Sequence, residues 1–162
     1  MIAPINGAPA HLLTFLAENE IDAEFVAPGV AMPTVLAAAT AIGVPEDQIL
    51  KTLLFTADEG GHVVAVANGT RRINRALLAD AAALSRPRAA SPEAVLAITG
   101  YPAGGVAPLG LPLGLPVIVD EQVAALPWAF AGGGTEDLLL RVNPADVIRH
   151  NSATVARIVD EG

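Results

Sequence analysis

The sequence predicts an α+β domain around a mixed sheet. Three observations carry that prediction: helical and strand-like hydrophobic periods alternate along the chain, a clear hairpin signal stands near residue 60, and 52% of the 162 residues are hydrophobic. A chain of this length buries about 70% of the surface it exposes when unfolded, so one domain over 1–162 is the expectation.

Residues 8–20 carry Leu12, Leu13, Phe15 and Leu16 at helical spacing, and a short strand at 23–26 follows. Pro33 suits a first helical turn, 35–42 continues the helical pattern, and Gly43 with Pro45 stops it. Two β-prone runs, 49–57 and 62–67, flank Asp58-Glu59-Gly60-Gly61, whose glycines suit a hairpin. After the Asn68-Gly69 turn, Ile73, Leu77, Leu78 and Leu84 mark one face of a helix over 73–84. Ser91 with Pro92 begins a further helix, and Gly100 lies beyond its end.

The stretch 100–116 differs in kind, with five glycines and four prolines. Those residues exclude a continuous helix or a central strand, yet nearly every other residue is apolar, so the segment reads as a buried or cleft-lining loop and not as a polar linker. Then come a strand at 117–119, a helix near 121–126, a strand at 128–131, the Gly132-Gly133-Gly134-Thr135 turn, and a strand at 138–142. Asn143-Pro144-Ala145-Asp146 opens a closing helix, with Asp146 placed to help the first-turn amides.

Charge and composition narrow the function. The formal charge is −8, so the totals do not support a general grip on nucleic acid, DNA included, and any RNA contact must be local. There is no cysteine, which removes disulfides, thiolate nucleophiles and zinc-thiolate sites. The start of the chain lacks a basic segment followed by an apolar core, and no apolar run reaches about 18 residues, so no membrane partner and a cytoplasmic location are expected. His11, His62 and His150 lie far apart without metal-ligand spacing, no Gly-x-Ser-x-Gly elbow occurs, and no phosphate-cradling loop opens a helix. No metal and no cofactor are expected.

One residue survives this screen. Lys51 is the only lysine, the other eight basic residues being arginine, and it lies inside Ile49-Leu50-Lys51-Thr52-Leu53-Leu54-Phe55, the most apolar strand candidate. Alternation puts it on a face with Ile49, Leu53 and Phe55, where its ammonium either snorkels to an edge or stands in a partly dry cleft facing an anionic or carbonyl group. The local pattern leaves both readings open.

Taken in order, Gln48-Ile49-Leu50-Lys51-Thr52-Leu53-Leu54, Val64-Ala65-Val66-Ala67, the 100–110 segment and Ala131-Gly132-Gly133-Gly134 before a strand resemble the signature of the YbaK and prolyl-tRNA synthetase-associated (ProX-like) editing family. The resemblance runs over most of the chain, and the order and separation of the motifs make it specific. It implies a mostly antiparallel curved sheet flanked by helices, and a hydrolase that removes a wrongly attached small amino acid from the acceptor end of tRNA. The tRNA for proline is the leading candidate and prolyl-tRNA synthetase a candidate partner. It also implies that Lys51 and the Gly104, Gly105, Val106, Ala107, Pro108 loop bind the aminoacyl end, with Thr52, Gly132 and Gly133 beside them.

The residue types suit that chemistry. Hydrolysing an aminoacyl ester needs a positioned carbonyl, a water or substrate hydroxyl as nucleophile, and donors for the developing oxyanion. Gly104 and Gly105 allow close approach of backbone N–H groups, and Pro108 stiffens the loop. Lys51 would hold the ribose and phosphate or the ester oxygens, with Thr52 adding a hydroxyl. Asp137, uncertain in register by one residue, is a candidate for the substrate amino group, its plainer reading being a solvated turn carboxylate. Arg71, Arg72, Arg75, Arg86 and Arg88 form either a local phosphate-binding edge or a solvated face with ion pairs. Trp128 and Phe130 read as core and not as base-stacking groups. The rival function is a non-catalytic binding module of the same fold.

Overall fold

The computed structural model describes residues 7–161. The stretch 1–6, most of the chain start read above for a leader, lies outside them. The order is α1 (Ala10–Glu18), β1 (Glu24–Val26), α2 (Val35–Ile42), a 3-10 turn (Glu46–Gln48), β2 (Leu50–Thr56), β3 (His62–Asn68), α3 (Arg75–Ala82), β4 (Arg88–Ala89), α4 (Pro92–Thr99), β5 (Val117–Asp120), α5 (Glu121–Ala124), β6 (Ala129–Gly132), β7 (Leu139–Val142), α6 (Pro144–Asn151) and β8 (Thr154–Ala156). The fold is α+β, as expected.

The strands divide into a five-stranded sheet, β4-β2-β3-β5-β8, and a three-stranded sheet, β1-β7-β6. Four of the six pairings are antiparallel, and β3–β5 and β5–β8 are parallel. An isolated bridge between Ile49 and Phe130 joins the two sheets at the start of β2. The hairpin forms where the sequence places it, with Leu50 opposite Asn68 and Thr56 opposite His62.

β3 is central and covered on both faces, which is why Val63-Val64-Ala65-Val66-Ala67 is apolar throughout instead of alternating. One face packs Leu50, Leu54, Val64 and Val66 against Leu12 and Leu16 of α1 and against Val106 and Leu109 of the glycine-proline segment. The other packs Phe55, Val63 and Ala65 against Leu78 of α3. A third cluster seats Ala38 and Ala39 of α2 on Ile49 and Leu139.

Caps account for most of the helix boundaries. Thr34, Asn74, Ser91 and Asn143 each accept a bond from a first-turn amide, and Gly43 and Gly100 end α2 and α4 in the left-handed region. Pro33 therefore precedes the Thr34 cap instead of opening the helix. α3 is shorter than the 73–84 pattern because Asn74 caps it and Ile73 bridges to Val159. Asp146 stands in the first turn of α6, where its negative charge favours the exposed amides, and its carboxylate also pairs with Arg149 at 2.6 Å. The two short strands β4 and β8 carried no readable period at two and three residues. Asp120, fully buried, holds the chain end by accepting from Gln122 N and Ile158 N.

The middle of the glycine-proline segment, 105–109, is a fastened core loop. Residues 112–114 lie at the surface with Leu113 fully exposed, so the expectation of a buried or cleft-lining loop fails for the second half. The Tyr101 side chain is fully buried and its hydroxyl donates to the Leu109 carbonyl at 2.7 Å, while Asn151 Nδ2 donates to the Pro108 carbonyl at 2.7 Å. Burial pushes the phenol pKa well above the ordinary tyrosine value, so it remains a donor throughout the useful pH range. Tyr101→Phe leaves the Leu109 carbonyl unpaired, and chemical denaturation is expected to show a loss of about 1–3 kcal/mol.

Candidate functional site

A cleft of about 100 Å³ opens where β2 meets the three-stranded sheet, α2 and the glycine-proline loop. Lys51, Thr52 and Leu53 line one wall, Gly104, Val106 and Gly132 another, and Met32, Ala38 and Leu139 provide apolar surface. Met32 is held there by its amide, which donates to the Glu136 carbonyl at 2.7 Å.

The cleft is a gap in the sheet. Gly69 N donates to Ile49 O, which fixes Ile49 as a residue whose peptide group faces β3. Alternation then turns the peptide groups of Thr52 and Leu54 to the opposite edge, and Leu54 O there accepts from Ala90 N. β4 pairs only with Phe55 and Thr56, and the bridge to Phe130 sits at Ile49. The main chain of Thr52 therefore points into the space between.

The walls approach through bare backbone. A Cβ on Gly105 would lie 2.7 Å from the Thr135 carbonyl carbon, and one on Gly132 would collide with the Val106 carbonyl. Gly134 N donates to Gly105 O at 2.9 Å, locking the 104–106 loop to the 132–135 turn. Only glycine permits that contact.

Of the residues singled out in the sequence, Lys51, Thr52, Gly104, Val106 and Gly132 converge on this cleft. Gly105, Ala107, Pro108 and Gly133 are buried behind it, where they shape and fasten the loop. Asp137 is exposed and accepts from the Thr135 hydroxyl at 2.6 Å, a turn interaction outside the cleft lining. The neighbouring Glu136 was passed over. Its Oε1 stands 3.3 Å from the Cβ position of Gly104, so its carboxylate lies across the loop that lines the cleft. The one-residue ambiguity of register in the turn was the signal that could have found it.

Lys51 is half-buried, and its amine donates to the Arg71 carbonyl. By alternation its side chain leaves β2 on the face of Phe55 and α3, while Thr52 leaves on the face of Leu50 and Leu54. The cation thus stands at the far side of the strand that walls the cleft. Burial lowers its pKa below the ordinary lysine value, because desolvation disfavours the ammonium. Among the described residues, Thr52 Oγ1 is the buried side-chain polar atom without a hydrogen-bond partner. Thr52 thus contributes its main chain to the cleft, with its unpaired hydroxyl sealed from solvent behind it.

No histidine, cysteine or carboxylate lines the cleft, and among the described residues no group of three or more His, Asp or Glu is placed to hold a metal. Trp128 is half-buried beneath the Arg141 guanidinium, 3.9 Å from the ring centroid, and Phe130 packs against the α2 cluster. No helix among the described residues is long and apolar enough to cross a membrane.

Comparison with known proteins fits this geometry. Residues 30–150 match the family described as the aminoacyl-tRNA editing domain. The chain belongs to that family. Proline–tRNA ligase of Moorella thermoacetica is 32% identical over 140 residues, which is 86% of this chain and 24% of the ligase. Proline–tRNA ligase of Pelobacter propionicus is 28% identical over 107 residues, 66% of this chain and 19% of the ligase. The chain thus spans about a fifth to a quarter of the length of these relatives. A crystal structure described as a candidate trans-editing enzyme for prolyl-tRNA synthetase superposes with a TM-score of 0.85 at 26% identity, covering 98% of this chain and all of that one. A crystal structure of a hypothetical protein gives the same TM-score at 29% identity, over 93% of this chain and 99% of that one. The resemblance drawn from the ordered motifs therefore holds, as does the fold it implied.

Thr52→Val removes an unpartnered buried hydroxyl at nearly constant volume. The variant is expected to be as stable as the parent or more so by about 1 kcal/mol in urea unfolding.

Proposed function

We propose that this editing-domain chain is a deacylase that hydrolyses the ester of a small mischarged amino acid at the 3′ end of tRNA, acting in trans, with tRNA for proline as its substrate. One observation carries the reading: a small cleft is lined by outward-facing strand amides and glycine backbone, with a buried unpaired hydroxyl behind it and the half-buried Lys51 amine on the opposite face of the same strand. The family and the proline–tRNA ligase relatives support the substrate class.

The lining dictates the kind of mechanism. With no side-chain acid, imidazole or thiol at the cleft, the attacking oxygen is a positioned water or a hydroxyl of the terminal ribose. Backbone N–H groups are the donors available to the ester oxygen as it gains charge, with the Thr52 hydroxyl buried behind them. Glu136, which packs against Gly104 without lining the cleft, is the candidate partner for the substrate ammonium in preference to Asp137. The cleft volume of about 100 Å³ suits a side chain of the size of alanine, serine or cysteine, and larger ones meet Met32 and Leu139. Lys51, on the other face of β2, grips the ribose or terminal phosphate where it passes beyond the cleft, once its amine exchanges the Arg71 carbonyl for the ligand.

The rival, a non-catalytic binding module, has one observation on its side: that amine is already satisfied by Arg71. A deacylation assay over a panel of mischarged tRNAs separates the two. Wild type is expected to release a small amino acid, Lys51→Ala is expected to lose about 100-fold or more in kcat/KM while staying folded, and Glu136→Gln is expected to raise KM. Release of no amino acid by the wild type, or equal rates for Lys51→Ala, would leave the module reading.

The lowered pKa gives a second check. If the ammonium is the active form, kcat/KM corrected for uncatalysed hydrolysis falls as pH rises, and does so below the range where an exposed lysine loses its proton. The residual activity of Lys51→Arg is expected to stay flat over that range, because the guanidinium keeps its charge.

A further inference from the structure

A second, larger groove of about 590 Å³ lies outside the cleft, between the first turns of α3 and the segment leading into β4. Arg75, Arg86 and Arg88 line it, with Asp58 as the one carboxylate and Ala76 and Ala79 as a floor free of long side chains. We propose that this groove binds phosphates of the RNA backbone, and that it holds the acceptor end of the tRNA while the aminoacyl terminus occupies the cleft. The proposal rests on the deacylase reading for the identity of the RNA.

Three features support it. The first is charge: three guanidiniums face one carboxylate in a chain whose net charge is −8, so the groove is a local positive pole on an acidic protein. The second is preorganisation. Asp58 accepts from Arg86 Nε at 2.5 Å and from Arg88 at 2.9 Å, which aims two exposed forks in fixed directions. Those guanidiniums hold the Asp58 carboxyl below its ordinary pKa, so the brace stays ionised at neutral pH. Arg75 has no ion-pair partner among the described residues and is exposed at the start of α3. Planar forks of this kind match phosphate oxygens bidentately.

The third feature is continuity with the cleft. Arg88 is paired with Thr56 on β2, five residues beyond Lys51, a distance of about 17 Å along the strand. Lys51, Leu53 and Phe55 share the face of β2 that α3 covers, and Leu53 on that path is 40% exposed. The Lys51 amine and the α3 wall of the groove, which carries Arg75, therefore lie on one face of β2. Arg88, opposite Thr56, leaves β4 from the other face at the strand end, and the span is one that a few nucleotides can bridge. An isolated site for a free phosphate would need no such track.

The test uses the full chain and a fluorescent, uncharged acceptor-stem minihelix ending in CCA, with anisotropy read over a salt titration. Arg75→Gln/Arg86→Gln/Arg88→Gln is expected to bind about ten-fold or more weakly at low salt and to flatten the slope of log affinity against log salt by about 2, as lost phosphate contacts require. Its deacylation is expected to show a raised KM with little change in kcat. Arg75→Gln alone leaves both ion pairs in place and is expected to shift binding in the same direction, which guards against misfolding of the triple variant. Unchanged affinity and slope in a folded triple variant overturn the groove and leave the deacylase reading untouched. Wild type that binds the minihelix with the expected slope, yet releases no amino acid from any charged tRNA, overturns the deacylase reading and leaves the groove standing. Competition by inorganic phosphate or an acidic peptide as effective as the minihelix, at equal charge, also overturns the RNA assignment.

Discussion

The site depends on two stretches of main chain touching with no side chain between them. Residues 104–106 lie against 132–135 closely enough that a methyl group on Gly105 or Gly132 has no room. That contact brings a loop from the middle of the chain onto the edge of a hairpin from its first half, and it sets the width of the cleft. Tyr101 and Asn151 keep the loop from relaxing, because each ties one of its carbonyls to a different part of the core. Close packing of this kind transmits displacement instead of absorbing it, so the loop and the turn behave as one wall.

Electrostatics add a different layer. An acidic protein that handles a polyanion has to confine its positive charge, and here Lys51 and Arg75 lie on the α3 side of the sheet. The single lysine stands where burial makes its proton easier to lose, and its neighbours in that region are arginines, which keep theirs.

Much of this was legible in the sequence. The hairpin, α2, α4 and the glycine-proline loop were visible because caps, stops and periods agreed at each. So was the cleft, through the oddity of Lys51 in an apolar strand and through the glycines that the resemblance ordered. What the sequence did not show follows from non-local geometry. β4 and β8 are too short to carry a period and exist because longer strands template them. Alternation gave the face of the lysine, but its partner there, the Arg71 carbonyl, lies twenty residues away. The prominence of Glu136 over Asp137 is a matter of one residue of turn register, which main-chain contacts decide and local pattern does not.

The break in the ladder along β2 has a consequence for selectivity. Any occupant of the gap meets amide and carbonyl groups of Thr52 that no neighbouring strand covers. An ester with an adjacent ribose can answer them in kind, whereas a hydrocarbon of equal size would strand them away from water. Preference for a polar, acyl-like guest is thereby written into the polypeptide backbone itself, where replacing side chains cannot easily erase it.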